Sequence, residues 1–311
     1  MATNLFTMIH HGADATGIAN IAMDGTVLDT WYPAPRLTSS PMHPTGTTRL
    51  GAHHISPKLL NLVRIDEDRR VEQIAVHTTI ADLSSPPIDA HDVYLRLHLL
   101  SHRIVRPHDI NMDNATDLLA IVAWTNKGPC LPDDFENVRT SLRSRGLIHV
   151  YGIDKLPRMV DYVVPSGIEI TEAERVRLGA HLAPGTKVLR EGYVSYNAGT
   201  LGPGRVEGRL YAGTVVGNDL DLGISASLVP DKNTKRLRVG NNCKLGLGAA
   251  VIGIDLGDNV TICNNIVLDP ATQIYDASSQ QRCIAESLRG KSNFCVQMEF
   301  GHPEPVIHSF S

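Results

Sequence analysis

Aliphatic side chains recur at every sixth residue through the second half of the chain, at Val164, Ile170, Val176, Leu182, Val188, Val194, Thr200, Val206 and Ala212. The register then slips by four and resumes at Val216, Leu222 and Leu228. It slips again within Lys232–Arg238, restarts at Val239, Leu245 and Val251, shifts by one, and runs on through Leu256, Ile262, Leu268 and Ile274. A helix favours three-to-four spacing and a half-buried strand favours alternation. A six-residue beat fits neither, and it predicts a hexapeptide parallel β-helix. Each segment is one flat strand and a corner, one aliphatic side chain points into a narrow prism, and each coil buries against its neighbours. A sandwich of short strands with accidental spacing is the competing arrangement, and the phase held over nine consecutive positions argues against it.

Corners need turn chemistry. Gly179, Asn197, Gly202, Gly208, Gly213, Gly217, Gly240, Asn241, Gly246 and Gly257 are expected to supply left-handed backbone angles there. The first half reads differently. Thr26–Tyr32 and Ile74–Thr79 are strand-like, and Asp92–Val105 and Asn114–Trp124 read as helices. Pro132–Arg145 reads as a third helix, opened by Asp133 and Asp134 and closed at Gly146. Leu147–Tyr151 and Met159–Val164 read as strands, Pro33–Pro57 as a long loop, and the residues after Ile274 as an irregular tail. The predicted organisation is an α+β N-terminal domain over 1–160, the β-helix over 161–275 and a tail over 276–311.

Composition narrows the function. Aromatics are only 5% of the 311 residues, so the core is aliphatic, and 26 glycines fit a chain rich in tight turns. A formal charge of −4 leaves no basic excess for a nucleic-acid backbone. The longest apolar run, Leu118–Trp124, is far short of the roughly 20 residues that span a bilayer. The opening MATNLFTMIHHGADATG lacks the pattern of a secretory signal. The five cysteines form no C-x-x-C pair, which points to reduced thiols and a cytoplasmic protein. Three classes suit such a prism: acyl transfer from coenzyme A, a carbonic-anhydrase-like metalloenzyme, and a structural or ligand-binding prism without chemistry. The second needs three histidines at one interface, and His181 stands alone between Val164 and Tyr275.

Six stretches carry a specific likeness: Leu95–Pro107 (LRLHLLSHRIVRP), Trp124–Cys130 (WTNKGPC), Pro157–Gly167 (PRMVDYVVPSG), Arg175–Pro184 (RVRLGAHLAP), Glu191–Leu201 (EGYVSYNAGTL) and Val206–Arg209 (VEGR). With them the chain resembles the tetrahydrodipicolinate N-succinyltransferases of actinobacterial type. The resemblance implies a left-handed β-helix, a homotrimer with sites between subunits, and transfer from succinyl-CoA that makes N-succinyl-2-amino-6-oxopimelate in lysine and diaminopimelate biosynthesis. It implies Glu207 as the catalytic carboxylate, either an acyl-anhydride nucleophile or the base that takes the proton of the attacking amine. Arg209 and Ser227 would contact the acyl-CoA. Glu174 and Glu191 would hold Mg2+ on the trimer axis, where three copies of a carboxylate meet. Lys235 and Arg236, within the cluster Lys232–Arg238, would meet CoA phosphates, or else form a solvated loop. Arg175 and Arg177 could meet the dicarboxylate substrate, and His181 is read as structural.

The likeness breaks at Gly223-Ile224-Ser225-Ala226-Ser227-Leu228-Val229-Pro230, where the family pattern has more glycines. Pro230 replaces a glycine implied in holding the thioester oxyanion, and proline has no N–H to donate. The following loop, Asp231–Arg236, is shorter, and Leu247-Gly248-Ala249-Ala250 replaces a further family stretch. These changes fall on the donor side. They suggest a paralogue using acetyl-CoA on the same or a similar acceptor, of the kind that serves tabtoxin biosynthesis.

Overall fold

The computed structural model describes residues 11–39 and 44–310. It divides into two units, one ending at Val105 and resuming over Asp109–Val163, the other formed by Arg106–His108 and Val164–Ser311. The expectation placed on residues 1–10, and part of the Pro33–Pro57 loop, lie outside the described residues.

The first unit is built on the strand Gly12–Ala22. It pairs antiparallel with Val71–Ile80 along one edge and with Val27–Trp31 and Arg36–Thr38 along the other. Gly46–Arg49 and Arg64–Asp66 extend the sheet beyond Val71–Ile80. The helix Ala90–Ser101 packs on this sheet, capped by the Asp89 side chain on the Asp92 N–H. It is buried all round, and so the ion pair it carries is buried too. Arg96 Nε donates to Asp92 Oδ1 at 2.7 Å, and its Nη1 donates to the carbonyls of Leu83 and Asn111. A second sheet places Val122–Thr125 between Gly128–Cys130 and Val150–Asp154. The helix Phe135–Leu142 lays Val138 and Leu142 on Ala123 and Cys130.

Three sequence expectations fail in this unit, and a fourth, the strand over Leu147–Tyr151, is displaced to Val150–Asp154. Asn114–Trp124 is not a helix: a single 3-10 turn, Ala115–Leu118, gives way to the strand Val122–Thr125. The Val122–Trp124 side chains gain two paired neighbours and full burial as a strand, which outweighs the helical reading from Asn114. Met159–Asp161 is a 3-10 turn instead of a strand, braced by Arg158 on Asp161. The proline-rich loop contains two short strands of the main sheet.

The second unit is a left-handed parallel β-helix with three walls. Glu169–Ile170, Thr186–Val188, Gly204–Val206, Leu220–Leu222, Lys244–Leu245 and Val260–Ile262 stack as the first wall. Tyr193–Val194, Arg209–Leu210, Ser227–Val229, Ala250–Ile252 and Val267–Leu268 form the second. Ala180–Leu182, Ala198–Thr200, Thr214–Val216 and Leu237–Val239 form the third. The hexad residues from Val176 to Val206, and those from Val216 to Ile274, point inward and are buried. Two positions of the hexad reading are wrong. Val164 is exposed, and Ala212 sits in a turn at the prism surface while Leu210 is the buried residue. The four-residue slip therefore falls between Val206 and Leu210, earlier than the sequence pattern suggests.

The corner glycines also divide into two kinds. Gly179 and Gly213 have positive φ, as does Asn197, as expected. Gly208, Gly217 and Gly246 do not; they are glycine because the next coil is too close. A Cβ on Gly208 would lie 2.2 Å from the Ala226 carbonyl oxygen. The left-handed corner beside Asn241 belongs to Asn242, whose side chain starts a ladder through Asn259 to Asn293 at 3.2 and 2.8 Å. The residues after Ile274 are not irregular. Phe294–Gln297 adds parallel to Val260–Ile262, and Val306–Ser309 and the hairpin Gln273–Asp276/Gln281–Ile284 continue that wall.

Candidate active site

Glu207 and Gly208 form the corner between the first wall, which ends at Val206, and the second, which begins at Arg209. The backbone N–H of Glu207 donates to the Leu222 carbonyl and that of Arg209 to the Ala226 carbonyl. Both residues are thus pinned to the next coil. Arg209 lies directly beside Ser227 in the parallel ladder, with Tyr193 on its other side. Adjacent parallel strands sit about 4.8 Å apart, so Glu207, Arg209 and Ser227 share one edge of the second wall.

The Glu207 carboxylate is half-buried, with its side chain 17% exposed. Its Oε2 accepts from Arg205 Nη2 at 2.6 Å. Arg205 is anchored in turn by Asp221 Oδ1 at 3.1 Å, one coil further on, and Lys244 stands 3.6 Å from the other Asp221 oxygen. Sequence reasoning missed Arg205 and Asp221. No local sequence signal marks them: the ladder register, which places Arg205 over Asp221 and Asp221 over Lys244 on one outward row, depends on the length of each coil.

Lys235 and Arg236 lie in the loop at the opposite edge of the second wall, between Val229 and Leu237, with three strand residues or about 10 Å of backbone between the two corners. The loop is held by Asp231, which accepts the backbone N–H groups of Asn233 and Thr234 at 2.9 and 2.8 Å. Those donors keep its carboxyl below the usual range. Lys235 donates its own N–H to the Asp231 carbonyl and takes a positive φ of 53°. His108, inserted beside this loop, donates from its Nε2 to the Gly213 carbonyl at 2.7 Å. Burial, with Arg236 and Arg238 nearby, pushes its pKa down to about 4. His181 is buried in the third wall.

Glu174 and Glu191 are carried on neighbouring coils, close to the Val176–Val194 bridge. Glu191 faces the Arg175 guanidinium at 3.7 Å, and Arg175 also binds Glu172 at 2.8 Å. Among the described residues no three His, Cys, Asp or Glu side chains converge as metal ligands. One chain contributes only Glu174 and Glu191, and the magnesium site expected from the resemblance would draw on three copies of such carboxylates around an axis.

Family comparison agrees with this architecture. Residues 119–158 match the model for the middle region of tetrahydrodipicolinate N-succinyltransferase. Residues 236–270 match the hexapeptide repeat of succinyl-transferase. The chain is 46% identical over 208 residues to the 2,3,4,5-tetrahydropyridine-2,6-dicarboxylate N-succinyltransferase of Salinispora tropica, covering 66% of this chain and 64% of that protein. The chain is similar in sequence to the tetrahydrodipicolinate N-succinyltransferases. A Pseudomonas putida protein of the same name is 39% identical over 217 residues, covering 68% of this chain and 62% of its own length. The match therefore spans a little under two thirds of either family member. The crystal structure of a putative 2,3,4,5-tetrahydropyridine-2-carboxylate N-succinyltransferase from Campylobacter jejuni superposes with a TM-score of 0.80, over 95% of this chain and 91% of that one. At 21% identity it speaks for the shared fold. No helix among the described residues is long and apolar enough to cross a membrane.

Proposed function

We propose that the chain is an acyl-CoA-dependent N-acyltransferase that moves a succinyl group from succinyl-CoA to the amine of 2-amino-6-oxopimelate, the open form of tetrahydrodipicolinate. The observation that carries this reading is the 46% identity to a protein of that name. The corner that sets Glu207, Arg209 and Ser227 along one wall edge supports it. Glu207 is the base. Arg205 fixes one carboxylate oxygen and leaves the other to take the proton. The amine nitrogen attacks the thioester carbon, a C–N bond forms, the C–S bond breaks, the proton lost from nitrogen passes to Glu207, and Glu207 returns that proton to the departing thiolate, which leaves as CoA thiol. Arg209 is suited to a carboxylate or phosphate by its planar fork of donors. Lys235 and Arg236, one wall-width away, serve the phosphates of the same CoA. The working form is a homotrimer in the cytoplasm.

The test measures N-acylated product by mass spectrometry with succinyl-CoA and with acetyl-CoA, in the parent protein and in Glu207→Gln. Succinyl-CoA is the better donor, and E207Q loses about 10²- to 10⁴-fold in kcat while still binding CoA. Full turnover by E207Q, or no product from either donor, overturns the reading.

A further inference from the structure

The first unit contains a cavity of about 340 Å3 that acyl transfer on the prism does not use. Its walls come from three separate stretches: the strand Val27–Trp31, the hairpin around Trp124, and the segment from Tyr151 to Tyr162. The last two overlap stretches the sequence singles out, Trp124–Cys130 and Pro157–Gly167, neither of which has a part in the chemistry above.

The lining has a definite character. Both tryptophans of the chain, Trp31 and Trp124, face it, joined by Tyr151 and Tyr162. Two carboxylates line it, Asp29 and Asp161, against a single cation, Arg158. That cation is already engaged. Its Nε and Nη2 donate to the two Asp161 oxygens at 2.9 Å each, and its guanidinium stacks over the Tyr151 ring at 3.7 Å. Asp29 is 3% exposed. One of its oxygens accepts from Asn20 Nδ2 at 2.7 Å and the other from the Tyr162 hydroxyl. A carboxylate offers about four lone-pair directions, so these two donors leave capacity for another. The buried Arg69 pairs with Asp66 and donates to Asn20, and its charge also acts on Asp29 without a hydrogen bond to it.

An anion entering here meets Asp29 and a guanidinium held by Asp161. A hard divalent cation meets aromatic walls and too few oxygens. An organic ammonium meets both things it needs, a buried carboxylate for its N–H donors and π faces for its charge and stem. The volume lies at the small end of the range for ligand pockets. We propose that this cavity binds a small primary-ammonium compound of amino-acid size, its nitrogen on Asp29 and its hydrocarbon against Trp31 and Trp124. The site lies wholly within the first unit and does not depend on the reading of the prism.

Because both tryptophans line the cavity, selectively excited tryptophan emission reports binding there. The full chain is titrated with L-lysine and with 1,5-diaminopentane, and with glutarate as the anionic counterpart. At least one amine gives a saturable change with Kd near or below about 1 mM, and glutarate gives none. Asp29→Asn weakens the amine by about tenfold or more, the loss of one charge-assisted contact. Tyr151→Ala removes a half-exposed ring that the core does not need, and it weakens binding severalfold even if D29N fails to fold. A linear response to both amines up to about 50 mM, an equal response to glutarate, or amine affinity unchanged in both variants overturns the proposal. Binding needs no acyl donor, so failure here is distinct from failure of acyl transfer.

Discussion

The position of the register slip can be tested by a pair of substitutions at Leu210 and Ala212. Leu210 is fully buried and stacked between Val194 and Leu228, its ladder partners on the coils before and after. Leu210→Ala removes most of that side chain and leaves a cavity between two rigid rungs that cannot collapse without breaking ladder hydrogen bonds. Substitutions of this kind cost about 2–5 kcal/mol. For a unit on the order of 150 residues, about 2–4 °C of Tm is lost per kcal/mol, so thermal unfolding should fall by roughly 4–20 °C. Ala212 precedes Gly213 in a turn closed by the Thr214 N–H on the Tyr211 carbonyl, with φ of 89° at the glycine. Ala212→Asn should therefore change stability by no more than about 0.5–1 kcal/mol. Circular dichroism melts of the two variants decide the matter. A uniform six-residue register would reverse the order, because it buries residue 212. A larger loss in A212N than in L210A would refute the placement of the corner, and with it the juxtaposition of Glu207 and Arg209 that the proposed chemistry uses.

Two further predictions follow from local geometry. Gly208→Ala places a Cβ 2.2 Å from the Ala226 oxygen and 2.9 Å from that of Gly223; the corner must shift, and kcat/KM should drop by about 10²-fold, as for a misplacement of about 1 Å, with CoA affinity reduced because Arg209 moves too. An unchanged kcat/KM in G208A would show that the corner does not position the site. His98 sits in the first unit with Nδ1 donating to the Tyr94 carbonyl at 2.7 Å and Nε2 accepting the Tyr32 N–H at 3.3 Å, and burial lowers its pKa to about 3. The folded state keeps it neutral while the unfolded chain protonates near pH 6.5, so it stabilises fully above that pH and this stabilisation is lost as the pH falls from about 6.5 toward 3; an NMR titration of its imidazole should show no protonation above about pH 4, and a midpoint near 6.5 would contradict the burial.

Much of the prism is legible in the sequence because its energetics are local and repeated. Each coil buries one aliphatic side chain per wall against its neighbour, and so the beat of Val, Leu and Ile survives in the linear order from Val176 to Ile274. Where it misleads, at Val164 and Ala212, an aliphatic or small residue happens to fall on the beat but lies outside or at a corner. The first unit is harder to read. Val122–Trp124 closes a stretch that reads as a helix from Asn114, and only the pairing of Gly128–Cys130 and Val150–Asp154 on either side makes it a strand. The terminal strands Phe294–Gln297 and Val306–Ser309 are invisible to the repeat because they take up an edge that the repeat itself has built.

The same division holds for the candidate site. The chain's own order fixes that Glu207 and Arg209 flank a glycine at a corner, since two residues apart is a local matter. It does not fix that Arg209 stands beside Ser227, or that Arg205 is shared between Glu207 and Asp221. Those neighbours are 16 or 18 residues apart, and the number of residues in each intervening coil decides which side chains meet. Nor could it bring Asp29, Trp124 and Tyr162 to one cavity. Local sequence sets which residues turn inward, because burial is decided by side-chain type and spacing; the stacking of coils and strands sets which outward residues touch, because contact across a ladder depends on every loop between them.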